Sequence, residues 1–280
     1  MITIICATCA AASNALSSVL QRKAALSTPL NRRGGLRIVL EVLRHKVWFG
    51  GFALLILGFL LQAAALSTGA LAVVQPILAA ELPLTLVIAA PILGGRLARR
   101  ELLAALVMAA GLALALGAAA PSGGRTEASG VGWAVGCGVS VAVIALIVLV
   151  GIRVGRPTSA AFFGIAAGGL FGLTAAFMVT VTARAQEGPA ALFASWQLYA
   201  MAVSGVAALM VLQEAYAAGT LAAAQPGVTI ADPILAVALG VFMFGEQIRT
   251  GWLVPLELIG IAGIAFGSIT LSRSPLIMGD

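Results

Sequence analysis

The sequence predicts an all-α integral membrane protein, with about nine transmembrane helices in two inverted structural repeats. Three observations lead there. Of 280 residues, 61% are hydrophobic and only 9% charged, with a mean hydropathy of +1.10, whereas a soluble domain carries roughly 25% charged residues. The apolar residues gather in runs of the length a helix needs to cross a bilayer, about 20 residues. Finally, the stretch Gln75-Pro76-Ile77-Leu78-Ala79-Ala80-Glu81-Leu82-Pro83 returns, altered, as Gln225-Pro226-Gly227-Val228-Thr229-Ile230-Ala231-Asp232-Pro233.

The first span is Ile2–Leu20. No basic residues precede it, and Arg22-Lys23 follow it, so it reads as a spanning helix with its N-terminus outside instead of a cleaved signal. A basic segment, 22–46, comes next and holds Arg22, Lys23, Arg32, Arg33, Arg37, Arg44 and Lys46, seven of the 16 Lys and Arg. Such a cluster beside apolar spans holds a loop in the cytoplasm. Within it, Leu36 to Trp48 mixes charged and apolar residues and predicts a short amphipathic helix on the cytoplasmic surface, carrying His45, the single histidine. The second span, Val47–Leu66, begins beside the interfacial anchors Lys46 and Trp48.

The third span, Leu71–Leu93, carries the first copy of the repeated stretch, and Leu102–Ala119 is the fourth. A turn-rich linker, 121–130, separates the halves. Five spans follow: Val131–Ile152, Ala160–Val181, Leu192–Leu212, Thr220–Phe244 and Trp252–Leu271. The first repeat is thus 1–120 with four spans, and the second is 131–280 with five. Spans one to four match spans six to nine, an odd separation that turns the second copy over in the membrane. Leu61-Gln62 echoes Leu212-Gln213, and Gly95 falls on Gly245.

Loop charges agree with nine spans. With the N-terminus outside, Arg96, Arg99, Arg100, Arg153, Arg156 and Arg273 join the basic loop inside, and outside loops hold only Arg125, Arg184 and Arg249. Gly164, Gly168 and Gly172 in span six, and Gly263 and Gly267 in span nine, are four apart, a spacing that lets helix backbones approach closely. The same device serves helix dimers, so a homodimer joins the lipid bilayer and a small-molecule or ion substrate as an expected partner. Nucleic acid does not: the net charge of +6 comes largely from the loop cluster.

An ionisable group at the bilayer centre costs roughly 2.5–3.5 kcal/mol on the insertion scale, so it marks a functional site by default. Glu81 and Asp232 lie deepest, each beside a proline pair seven residues apart: Pro76 and Pro83, Pro226 and Pro233. These prolines are expected to break their helices and free carbonyls for cation binding. Glu81 and Asp232 are candidates for cation binding or proton coupling. Glu214 and Glu257 are secondary candidates nearer the interfaces. Gln62, Gln75, Gln213 and Gln225 form a symmetric amide set, suited equally to holding a polar substrate and to tying helices together; Asn14 and Gln21 in span one resemble them. Cys6, Cys9 and Cys137 lie in apolar runs, and the CxxC spacing of the first two lacks any companion motif. Neither a cofactor site nor a dedicated metal motif is expected. No HExxH, GxSxG or Walker A motif occurs, and one histidine does not build an acid–base constellation, so the chain is not expected to be an enzyme.

Ala231-Asp232-Pro233 through Gly240-Val-Phe-Met-Phe-Gly245-Glu246-Gln-Ile, followed by a glycine-containing helix to Leu271, resembles the end of an EamA-type repeat. The first half is similar at Gln75-Pro76, Leu93-Gly94-Gly95-Arg96-Leu97 and Gly111. The chain therefore resembles the drug/metabolite transporter superfamily over nearly its whole length. Arg96 departs from the pattern, standing where the turn's acid is expected. Nine spans in place of ten also make the chain similar to NIPA-like magnesium transporters. The resemblance implies a multi-pass plasma-membrane carrier that moves a small metabolite by alternating access, coupled to protons or another gradient. A divalent-cation carrier is the alternative, and a non-transporting scaffold or accessory subunit the alternative of another class.

Overall fold

The computed structural model describes residues 1–26, 46–93, 98–120, 122–155, 158–218, 221–249 and 251–271. The amphipathic helix expected from Leu36, together with His45, Arg32, Arg33, Arg37, Arg44, Gly95, Arg96, Arg156 and Arg273, lies outside the described residues. The chain is an all-α membrane protein. Its helices are α1 (Ile2–Leu26), α2 (Lys46–Thr68), α3 (Leu71–Leu78), α4 (Glu81–Leu93), α5 (Arg99–Ala119), α6 (Gly130–Arg153), α7 (Thr158–Glu187), α8 (Pro189–Ala194), α9 (Trp196–Ala218), α10 (Leu221–Phe244) and α11 (Val254–Leu271). A short ribbon pairs β1 (Ser122–Gly123) with β2 (Glu246–Gln247) antiparallel.

Eight spans among the described residues are long and apolar enough to cross a membrane, counting α3 and α4 together. The seventh expected span corresponds to α9, whose apolar part, Trp196–Leu212, is shorter. Exposed Val139, Val143 and Leu146 on α6, and Val203, Val206 and Met210 on α9, show which solvent this surface suits. In water such contiguous apolar area would drive association; against acyl chains it is neutral.

Since lipid is as apolar as leucine, close packing supplies much of the cohesion between the helices. Span six, α7, is the most enclosed, with 67% of its membrane window buried, and it packs on α6, α9 and α10. Its glycines explain the fit: a Cβ at Gly168 would stand 2.6 Å from the Val228 carbonyl oxygen, and one at Gly172 2.7 Å from that of Asp232. Gly164 meets the Ala224 carbonyl in the same way. The stripe is thus spent inside the chain, gripping one carbonyl per turn of α10. A second small-residue crossing joins α5 to α11, where a Cβ on Gly111 would lie 2.6 Å from the Gly260 oxygen.

The third span is two helices. Ala79 and Ala80 form a turn between them, with the Ala80 N–H bonded to the Ile77 oxygen at 3.0 Å in the tight manner of a helix end. Pro83, the third residue of α4, has no N–H to offer Ala79, and at that position a helix start needs none. Pro76 lies inside α3 and does not break it, contrary to the sequence expectation, and the second copy departs from that expectation at both prolines. Pro226 and Pro233 lie inside α10, which runs unbroken from Leu221 to Phe244. Each proline removes one ladder bond, and the intact turns between, clamped along the glycine stripe of α7, carry the helix across both gaps.

Several helix ends meet at one end of the bundle, here the linker end. The Thr3 hydroxyl donates to the Thr68 oxygen at 3.0 Å. The Arg125 N–H bonds the Phe244 oxygen and the Arg249 N–H the Ala119 oxygen, each at 2.8 Å. The Thr180 hydroxyl reaches the Thr126 oxygen at 2.8 Å, and Arg184 pairs with Glu127 and Glu187. Trp133 stacks on Phe177 with centroids 5.1 Å apart, and Trp196 and Phe244 meet it edge-on.

Candidate functional site

Asp232 occupies the middle of α10, 12 residues before Phe244, or about 18 Å below the linker end. Its backbone carbonyl rests against Gly172, so the glycine stripe fixes its height and rotation. Glu81 is the first residue after the break in span three, where α4 begins. The break determines where it points, because α4 starts a new helical phase there.

The two acids, remote in sequence, come within electrostatic reach of each other: the charge of Glu81 is felt at Asp232. Asn14 and Ser18 of α1 hydrogen-bond the Glu81 carboxyl group. Asp232 Oδ1 is sealed from solvent and has no hydrogen-bond partner among the described residues. Neither acid has an ion-pair partner among those residues. Two like charges in a dry setting, one with an idle oxygen, call for a positive counterpart: a proton, a metal ion or a cationic group.

Gln75 is enclosed in the core of α3, and its Nε2 lacks an acceptor among the described residues. Gln62 is half-buried on α2. Gln213 and Gln225 lie on α9 and α10, with side chains outside what the structure describes, so the four amides are not seen as one set. Glu214 is exposed. Glu257, in the first turn of α11, keeps one sealed oxygen without a partner. No group of three His, Cys, Asp or Glu side chains suited to a metal is present among the described residues.

Sequence reasoning missed Ser18 and undervalued Asn14. A signal for Asn14 existed in Gly58 of α2, where a Cβ would stand 3.0 Å from the Asn14 Cγ; the glycine leaves room for the amide. It also missed the role of Glu246. This residue is buried beyond the C-terminus of α10, and its carboxylate accepts the backbone N–H groups of Leu71 and of Ala72, the latter at 2.8 Å. It therefore caps α3, whose own N-cap, Ala70, offers no side-chain bond. Burial pushes the Glu246 carboxyl above the ordinary glutamate range, with the two N–H bonds pulling the other way.

No family model matches the sequence, and no solved structure matches it. The chain is 30% identical to the uncharacterized protein Cgl0250/cg0304 of Corynebacterium glutamicum, in an alignment that covers 98% of this chain and 96% of that protein.

Proposed function

The chain belongs to the family of that Corynebacterium glutamicum protein, and for this member we propose a secondary-active carrier of the drug/metabolite transporter type. It moves a small metabolite by alternating access, and Glu81 and Asp232 bind the proton or other cation that couples transport to a gradient. The carrying observation is a pair of acids, supplied by spans three and eight, within electrostatic reach of each other and without a basic partner among the described residues.

The packing supports an inverted repeat of nine spans. Helix α1 packs on α2 as α7 packs on α9, and α1 touches both parts of span three as α7 lies along α10. Span three meets span eight, and span four meets span nine, the contacts a two-fold axis in the membrane plane would generate. The charges support an orientation. Arg125, Arg184 and Arg249 lie at the linker end, whereas the opposite end carries Lys23, Lys46, Arg99, Arg100 and Arg153. The linker end is then outside a plasma membrane and the C-terminus in the cytoplasm.

A Mg²⁺ carrier is the second reading, favoured by the idle Asp232 oxygen within electrostatic reach of a second carboxylate; Mg²⁺ keeps most of its waters and needs only one or two such ligands. Protein in liposomes loaded with a pH dye and a Mg²⁺ indicator separates the readings. A proton flux evoked by a metabolite panel, lost in Asp232→Asn, supports the coupled metabolite carrier. Mg²⁺ entry lost in the same variant replaces it with the cation carrier. Flux of neither kind from folded protein leaves a non-transporting membrane subunit.

A further inference from the structure

We infer that Glu246 is the latch of a gate at the linker end: its carboxylate holds the short helix α3 against the C-terminal turn of α10, and that end opens only when the hold is released. The inference rests on the alternating-access carrier proposed above and adds a positioning residue to it. Glu246 does not touch the cargo; it fixes the segment that leads into Glu81.

Four observations combine. Both carboxylate oxygens are engaged, one by the Leu71 N–H and one by the Ala72 N–H. These N–H groups are the positive end of a helix, where a carboxylate is the preferred partner. The glutamate itself is anchored in the second half. Gly245 turns with φ +67°, β2 is tied to the linker through β1, and Gly124 and Gly240 leave the room it fills, a Cβ at Gly124 falling 2.7 Å from its Cγ. Finally, α3 is a separate eight-residue body that ends in the Ala79–Ala80 turn. Released at one end, it is jointed at the other, immediately before Glu81.

Alternating access requires the linker ends of spans three and eight to part in one of the two states. The bonds to Leu71 and Ala72 cross that seam, so they favour the closed state by their own strength. The test is thiol access. In a background of Cys6→Ala, Cys9→Ala and Cys137→Ala, a Val74→Cys substitution places a thiol at a fully buried position one turn inside the seam. Labelling by a membrane-impermeant maleimide in lipid nanodiscs reads opening directly.

Glu246→Ala is expected to raise the labelling rate at least about tenfold, because two charge-assisted bonds no longer oppose opening. Adding Ala70→Asp to Glu246→Ala restores a local cap to α3 but no tie to the other half; thermal stability recovers and labelling stays fast. An unchanged rate in Glu246→Ala overturns the latch. So does a return to slow labelling in the double variant, which reduces Glu246 to an ordinary cap. Should Glu246→Ala not fold, Glu246→Gln keeps one acceptor and is expected to label about threefold faster; no increase overturns the proposal. Labelling needs no cargo: fast labelling without flux removes the carrier and leaves the moving helix, whereas flux without faster labelling removes the latch.

Discussion

The carboxylate of Glu246 accepts the backbone N–H of Leu71, 175 residues earlier, and so joins the turn after span eight to the first residue of span three. Glu246→Ala leaves two buried N–H groups without acceptors. With hydrogen bonds to charged groups worth about 1.5–3 kcal/mol each, the variant is expected to lose about 3 kcal/mol or more, read as a lower melting temperature in detergent.

That stability has a pH dependence. Burial raises the Glu246 carboxyl above its unfolded value, so on raising the pH the unfolded chain gives up this proton before the folded one does. The fold therefore loses stability as pH climbs from the ordinary glutamate range through the raised value. Glu246→Gln is expected to flatten that part of the melting-temperature profile, and an unchanged slope assigns it to other groups.

Gly172 and Asp232 test the seat of the site. A methyl at position 172 would meet the Asp232 oxygen at 2.7 Å, so Gly172→Ala is expected to cost about 1–3 kcal/mol through overpacking and to weaken transport by displacing Asp232. At Gly138 on α6, a Cβ would have nothing within 4 Å of it. Gly138→Ala is the control, expected to leave the melt unchanged or improve it by up to about 1 kcal/mol.

Asp232→Asn and Glu81→Gln separate chemistry from architecture. The Oδ1 of Asp232 has no partner to lose among the described residues, so the asparagine is expected to fold with stability within about 1 kcal/mol of the parent, since an isosteric swap creates no cavity. Gradient-driven flux in liposomes is expected to fall to background in both variants. Retained flux removes the acids from the coupling step.

Trp133 carries the aromatic cluster at the linker end, buried and stacked on Phe177 with the planes 5° apart. Trp133→Ala is expected to cost about 3–5 kcal/mol. Trp133→Phe keeps a stacked ring and is expected to recover most of it. Equal melts for the two variants show that the ring contact contributes little.

The spans were readable in sequence because length and apolarity are local properties, and a bilayer imposes them residue by residue. The acids were readable for the same reason: Glu81 and Asp232 are conspicuous in their surroundings. Backbone fate at the prolines was not. Pro76, Pro226 and Pro233 all lie inside helices and only the segment just before Pro83 breaks; α10 is packed along Gly164, Gly168 and Gly172 of another span, contacts that its own sequence does not display. The Glu246 cap was hidden similarly, since it depends on a meeting between residues 71 and 246 that only the assembled bundle provides. Asn14 had a faint signal in Gly58, legible once the pairing of α1 with α2 is known.

The unequal treatment of the two proline stretches has a mechanical result. Span eight is one continuous helix, held by its neighbour at the successive turns of Ala224, Val228 and Asp232, whereas span three has an elbow at Ala79–Ala80. Bending compliance is therefore concentrated on one side of the acid pair. In the proposed carrier, one stiff wall and one jointed wall give end states that are not mirror images, with the torque that reorients the centre applied through the first half of the chain.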